Sequence, residues 1–188
     1  MDGPETRDLT ADERRWLLAL ARSTIEARLG GRALPDAEPT PGPLTEHRGA
    51  FVTLTADGAL RGCIGHVVAA EALWLSVRGN AVNAAFHDPR FSPVAASELP
   101  GLQVEISALS PLRPVAGPAE ISVGRDGLLV ALGAARGLLL PQVAERHGWS
   151  PVEFLDQTCR KAGLEPGCWR EPEARVLAVS AEVFTDGE

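Results

Sequence analysis

Two residues, Asp57 and Gly58, constrain this chain more than any others. They separate Phe51–Thr55, rich in β-branched and aromatic side chains, from a second apolar run, Leu60–Ile64. An Asp-Gly pair so flanked closes a two-residue hairpin, because both central positions of a type I′ turn need positive φ. With the turn centred there, Thr55 lies opposite Leu60, Leu54 near Arg61, and Val52 opposite Cys63. Alternation along the strand then puts Arg61 and Cys63 on the face of Val52 and Leu54, with Leu60 and Ile64 on the other. Both faces carry apolar residues, which predicts a strand covered on both sides. The arginine and the thiol are expected where that cover gives way to a cleft.

Around this hairpin the other elements fall into place. Thr10 and Glu13 form a capping box that opens a helix carrying Trp16, Leu17, Leu20, Thr24 and Leu29 on one stripe, ended by Gly30-Gly31. Residues 30–48 hold Pro35, Pro39, Pro41 and Pro43, which fits an extended connector and neither helix nor central strand. Ala70–Phe86 reads as a helix that must stop before Asp88-Pro89, since proline disfavours α geometry in the preceding residue. Leu102–Leu109 alternates like a strand. Leu128–Leu132 and Leu138–Leu140, parted by Gly133–Gly137, read as a loose hairpin. Ser150-Pro151-Val152-Glu153 starts a helix that runs to Gly163, and Arg175–Phe184 is a final strand. Helices flank hairpin-joined strands without a βαβ rhythm, so the expected class is α+β with a mainly antiparallel sheet.

Composition removes several functions. A chain of 188 residues with net charge −7 offers no basic run, which argues against a nucleic-acid surface. No apolar run is long enough to span a membrane. Met1–Glu5 is acidic, with no apolar stretch behind it, and reads as lacking a leader. Three cysteines, an odd number at irregular spacing, predict no disulfide framework and fit a reducing cytoplasm. Seventeen of the eighteen cationic side chains are arginines, so a local anion site stays open.

Chemistry concentrates in Leu60-Arg61-Gly62-Cys63-Ile64-Gly65. A cationic neighbour can favour a thiolate, and glycines let a ligand approach the backbone. Cys63 is therefore the candidate nucleophile, with His66 and the Gly65 amide as candidate base and oxyanion donor. Arg61, Gly62, Gly65, Asp88 and Arg90 are candidate ligand-binding residues, Arg90 being held rigidly by the Asp88-Pro89 turn. The plain alternatives are a buried cysteine packed as a small hydrophobe, and a turn whose Asp88 bonds backbone amides while Arg90 meets a surface carboxylate. Cys63-x-x-His66, even with His87 and Asp88, is weak as a metal site, and no metal or cofactor is expected. Lys161, the only lysine, either complements a helix C-terminus or serves a role that needs a compact, deprotonatable ammonium.

The hexapeptide, Asp88-Pro89-Arg90-Phe91-Ser92-Pro93, Gly124-Arg125-Asp126-Gly127, Leu140-Pro141-Gln142-Val143-Ala144 and Lys161-Ala162-Gly163 together resemble the AMMECR domain family over about residues 9–184. The resemblance implies a single α+β domain, with a larger sheet-containing lobe, a smaller lobe and a cleft between them near the hexapeptide. It supplies no reaction. Relatives encoded or fused with Memo-type and radical SAM proteins imply, by association, a part in a larger enzyme system. His66 departs from the hydroxyl residue that many relatives carry there. The expectation is an enzyme or enzyme component that binds a small anionic or carbonyl-bearing ligand beside Cys63. The rival is a non-catalytic module that docks a peptide or partner protein.

Overall fold

The computed structural model describes residues 8–186. The Met1–Glu5 segment read as lacking a leader lies outside them. The chain forms two compact units: one from the part up to Pro111 together with the segment from Glu182 on, the other from Leu112–Ala181.

The first unit holds α1 (Ala11–Leu29), β1 (Ala50–Ala56), β2 (Ala59–His66), α2 (Leu73–Phe86) and β3 (Leu102–Leu109). Thr10 and Glu13 cap α1 reciprocally, as their spacing predicts, and α2 ends just before Asp88-Pro89. No regular element separates α1 from β1, where the four prolines lie. The strands run β2-β1-β3, all antiparallel. Val52, Leu54, Val104 and Ile106 are fully buried, together with Leu17 and Ile25 of α1 and Leu73 and Val77 of α2. One sheet face is thus covered by both helices, while Phe51, Thr53, Cys63 and Glu105 on the other are only half-buried.

The hairpin turn is as expected, with Asp57 at φ 50° and Gly58 at φ 76°, and Thr55 faces Leu60. The expected register then fails. A bulge opposite Leu54/Thr55 leaves Arg61 without a partner, so Leu54 faces Gly62, Val52 faces Ile64, and Thr53 faces Cys63. One slipped residue flips every later side chain, so Cys63 shares a face with Thr53 and not with Val52 and Leu54. The physical reason lies at Gly62. A Cβ there would come within 2.1 Å of the Ala84 carbonyl oxygen of α2. The bulge therefore presents the one residue without a side chain to the helix backbone.

The second unit holds β4 (Arg113–Pro114), β5 (Asp126–Leu132), β6 (Ala135–Leu139), α3 (Pro141–His147), α4 (Pro151–Lys161) and β7 (Arg175–Thr185), whose end passes into the first unit. The hairpin expected to be loose is tight: Leu132 pairs with Ala135 across a two-residue turn. β5 also pairs antiparallel with β7. α3 went unread in the sequence, although Pro141 opens it and left-handed Gly148 closes it. Ser150 and Glu153 cap α4 as predicted. Phe154, Leu155 and Leu128 are fully buried and form the centre of this unit.

A second expectation is overturned here. Cys159 and Cys168 are joined in a disulfide, which leaves Cys63 as the free cysteine among the described residues. The chain after α4 turns at Gly163 and Gly167, both at positive φ, and so brings Cys168 back against the helix that carries Cys159. The odd cysteine count hid a single pair, and with it goes the cysteine-based argument for a reducing compartment.

Candidate functional site

β2 is the outer strand of its sheet, so half of its peptide groups face away from β1. At Cys63 that open edge is filled. The Cys63 N–H donates to Asp88 Oδ2 at 2.9 Å, and the Cys63 carbonyl accepts from Arg90 Nη2 at 3.3 Å. Asp88 also accepts from the Arg90 backbone N–H at 3.1 Å, from Nε at 3.0 Å and from Nη2 at 2.7 Å. The turn after α2 thus behaves like one residue of a neighbouring strand, with the proline between Asp88 and Arg90 setting their spacing. Arg90 points at the hexapeptide, as its place after the turn predicts, yet its side chain remains about half exposed.

This arrangement fixes charge as well as geometry. The Arg90 guanidinium, then the Cys63 N–H, hold the Asp88 carboxyl far below the usual carboxylate range, with desolvation opposing them. Asp88 in turn raises the Arg90 pKa. The ion pair stays charged across the physiological range.

On the half-buried sheet face, Thr53 Oγ1 lies 3.3 Å from Cys63 Sγ and donates to it. The pairing of Thr53 with both Cys63 and Glu105 draws a row of thiol, hydroxyl and carboxylate across three strands. The Glu105 side chain makes no hydrogen bond or ion pair among the described residues. Beside this row, a Cβ on Gly65 would come within 2.4 Å of the Phe51 ring and of the Ala50 carbonyl. Glycine is required there so that the aromatic ring can lie across the strand.

The other predicted residues take different places. Arg61 is engaged by Glu98, with Nε to Oε1 at 2.6 Å and Nη2 to Oε2 at 3.1 Å, and Nη2 also reaches the Pro93 carbonyl at 3.3 Å. Hydrogen bonding to Glu98 raises the Arg61 pKa; Arg61 first, then the Ala95 N–H, lower that of Glu98. Its charge is therefore matched within the fold. Gly62 is buried against Ala84, so the expectation that a ligand approaches its backbone gives way to helix packing.

His66 is an odd number of residues from Cys63, and strand alternation sends the two to opposite faces. Its Nε2 meets Ser76 Oγ at 3.2 Å and its Nδ1 meets Asn80 Nδ2 at 3.4 Å, both on α2. The C-x-x-H spacing therefore brings together neither a thiol–base pair nor a chelating pair. Lys161 is exposed in the last turn of α4, in the second unit, whereas Cys63 belongs to the first. Sequence reasoning missed Thr53, Glu105 and Glu98. The first two come from strand partners whose register depends on the bulge, and the hairpin turn gave no sign of it. Glu98 had a signal of its own, three residues past Ala95, whose N–H it caps at 2.7 Å.

The AMMECR1 family model matches residues 18–184. A protein from Thermococcus gammatolerans is 46% identical over 182 residues, 91% of this chain and 89% of its own length. One from Methanothermobacter thermautotrophicus is 46% identical over 183 residues, covering 94% and 95%. The crystal structure of the uncharacterized protein PH0010 from Pyrococcus horikoshii matches with a TM-score of 0.75 at 40% identity, over 90% of this chain and 89% of that one.

Proposed function

The chain belongs to the AMMECR1 family, and from that premise we propose that it is an enzyme or enzyme component in which Cys63 is the reactive group toward a small anionic or carbonyl-bearing ligand. One observation carries this reading. The free thiol is half-buried on a polar sheet face, it accepts a hydrogen bond from Thr53, and both of its own peptide groups are held by Asp88 and Arg90. A cysteine that merely fills core needs none of these polar partners.

Each group has a role in this proposal. The Thr53 hydroxyl orients Sγ by donating to it. Asp88 positions the thiol through the backbone. Arg90 is directed at the site with Nη1 uncommitted among the described residues, and Nη1 receives the anionic end of the ligand. Strand alternation sends the Gly65 N–H out of the same edge as the Cys63 N–H, where it can donate to an oxygen developing charge. Arg61 supports the bulge through Glu98 and is outside the ligand's reach in this reading.

The test is native-state alkylation with iodoacetamide, read by peptide mass spectrometry. Cys63 is expected to be modified in the folded protein, and Arg90→Gln is expected to weaken protection by small carboxylates and phosphate. Labelling only after denaturation would sink the reading and leave the docking module as the better account. The described residues include no helix long and apolar enough to cross a membrane.

A further inference from the structure

We propose that Cys159–Cys168 is a thiol–disulfide exchange site, attacked at Cys168 from an adjoining open depression whose acidic rim selects cationic or neutral thiols over anionic ones. The inference is independent of the Cys63 reading and lies wholly within the second unit.

The two sulfurs are unequal. Cys159 is fully buried on α4, among Val130 and the flanking apolar side chains Leu132, Leu164 and Val176. Cys168 is 8% exposed and lines a depression of about 410 Å³ together with Leu132, Pro166, Glu165, Glu171 and Glu173. A thiolate must reach the sulfur it attacks along the S–S axis, and access decides which sulfur that is. Only Cys168 adjoins open space. The three glutamate side chains make no hydrogen bond or ion pair among the described residues; the Arg170 guanidinium, stacked over Trp169, lies beside Gly167 at one side of the depression, and the three carboxylates outnumber it.

Chemically the step is closed. A small monothiol, as thiolate RS⁻, forms a bond to Cys168 Sγ while the S–S bond breaks. The electron pair leaves on Cys159 Sγ, which takes up the proton released when the attacking thiol ionised. A second RSH then displaces Cys168 as a thiol and leaves as RSSR. The net change is one protein disulfide and two RSH to two protein thiols and one RSSR; a small disulfide reverses it.

The fold is arranged to survive the cycle. Asp156 Oδ1 accepts from the Gly167 N–H at 2.9 Å and from Trp169 Nε1 at 2.8 Å, the residues on either side of Cys168. These bonds hold the loop on α4 when the sulfurs part. Recombination therefore needs no long search, and the bridge can open and close without unfolding the unit.

The experiment uses the full chain carrying Cys63→Ser, so that only two thiols are counted. Cysteamine, 2-mercaptoethanol and 3-mercaptopropionate are compared at low ionic strength, each rate normalised to that thiol's rate with a small uncharged disulfide. Cysteamine is expected to react about tenfold faster than 3-mercaptopropionate, with the neutral thiol between them and the spread collapsing in salt. The trapped mixed disulfide is expected on Cys168. The triple variant Glu165→Gln, Glu171→Gln, Glu173→Gln should abolish the charge ordering while retaining exchange. Reduction only after denaturation, an adduct on Cys159, or normalised rates that ignore thiol charge would each overturn the proposal. So would a native protein with both thiols free that small disulfides fail to close.

Discussion

Each unit of this protein buries one aspartate among arginines, and the two constructions differ in what they hold. Asp88 accepts from Arg90 and from the peptide N–H of Cys63. Asp126 accepts from Arg125 Nε at 2.9 Å and Nη2 at 3.0 Å, from Arg113 Nη2 at 3.0 Å and from the Ser122 N–H at 2.8 Å. Both side chains are all but inaccessible, at 1% and 2% exposure, while their arginines are half exposed. In sequence, Asp88-Pro89-Arg90 reads as an anion clamp, whereas Gly124-Arg125-Asp126-Gly127 enters only as one of the segments that carry the family resemblance. In the structure, Asp126 gathers β4, the turn at Ser122 and the start of β5, all scaffold of its own unit. Asp88 spends one oxygen on the backbone of the only free thiol among the described residues. What separates the two arginine–aspartate centres is therefore the group that each positions.

The sharpest way to break this comparison is to remove each carboxylate in turn. Asp126→Ala should lower stability by about 2–4 kcal/mol, because a buried ionic hydrogen-bond centre disappears and leaves an N–H and two guanidinium groups short of partners. The same variant should leave the native alkylation rate of Cys63 unchanged. Asp88→Ala should shift the urea midpoint less and change the Cys63 alkylation rate several-fold. If Asp88→Ala behaves like its counterpart, with lost stability and unaltered thiol chemistry, the two clamps are both scaffold and the comparison collapses.

Acid sharpens the same contrast with a smaller effect. Burial pushes the Asp126 carboxyl up, but hydrogen bonds from Arg125 and the Ser122 N–H, with the charges of Arg125 and Arg113, outweigh it and leave the net shift downward. Asp88 is also shifted down, by Arg90 and Cys63. A carboxyl whose folded pKa lies below its unfolded value of about 3.9 contributes stability that is complete well above that value. The contribution is lost as pH falls below about 4 and through the folded pKa. Wild type should therefore begin to lose its advantage over Asp126→Asn, and over Asp88→Asn, as denaturation midpoints are followed from pH 6 down to pH 3. An advantage that stays constant over that range would show that neither carboxylate's charge matters to the fold.

Much of the architecture was legible because it rests on local rules. The capping boxes at Thr10 and Ser150, the Asp57-Gly58 turn and the helix stop at Asp88-Pro89 each depend on a few neighbouring residues, and each appears where the rule puts it. The misreadings share another origin. The Arg61 bulge answers to the backbone of α2, some twenty residues away in sequence, which must pass over Gly62. Thr53 and Glu105 reach the site through that register, so the face of Cys63 and its neighbours could not be read from spacing after the turn. The Cys159–Cys168 bond likewise depends on left-handed glycines folding a loop back on its helix, which cysteine counting cannot detect. Of the site itself, Cys63 and the Asp88-Pro89-Arg90 turn were legible and are brought together. His66 sits on the opposite face of the strand, and Lys161 sits in another unit.

The smallest expected effect tests whether the thiol belongs to site or scaffold at all. If Cys63 were core filler, Cys63→Ser would bury a hydroxyl without a partner, at a typical cost of about 1–3 kcal/mol, and would be less stable than Cys63→Ala. On the half-exposed face the order should not appear. A serine hydroxyl there can bond Thr53, which already donates to Sγ, or can be hydrated. Both variants should then stay within about 0.5 kcal/mol of wild type, as substitutions away from a packed core usually do. Serine should be at least as stable as alanine, because it alone keeps a partner for Thr53. Matched urea titrations of the three proteins measure this directly. Because alkylation reports access while the serine–alanine difference reports packing, the two can disagree. A serine variant clearly weaker than alanine, with native Cys63 still reactive, would mean a thiol that packs in one state and reaches solvent in another.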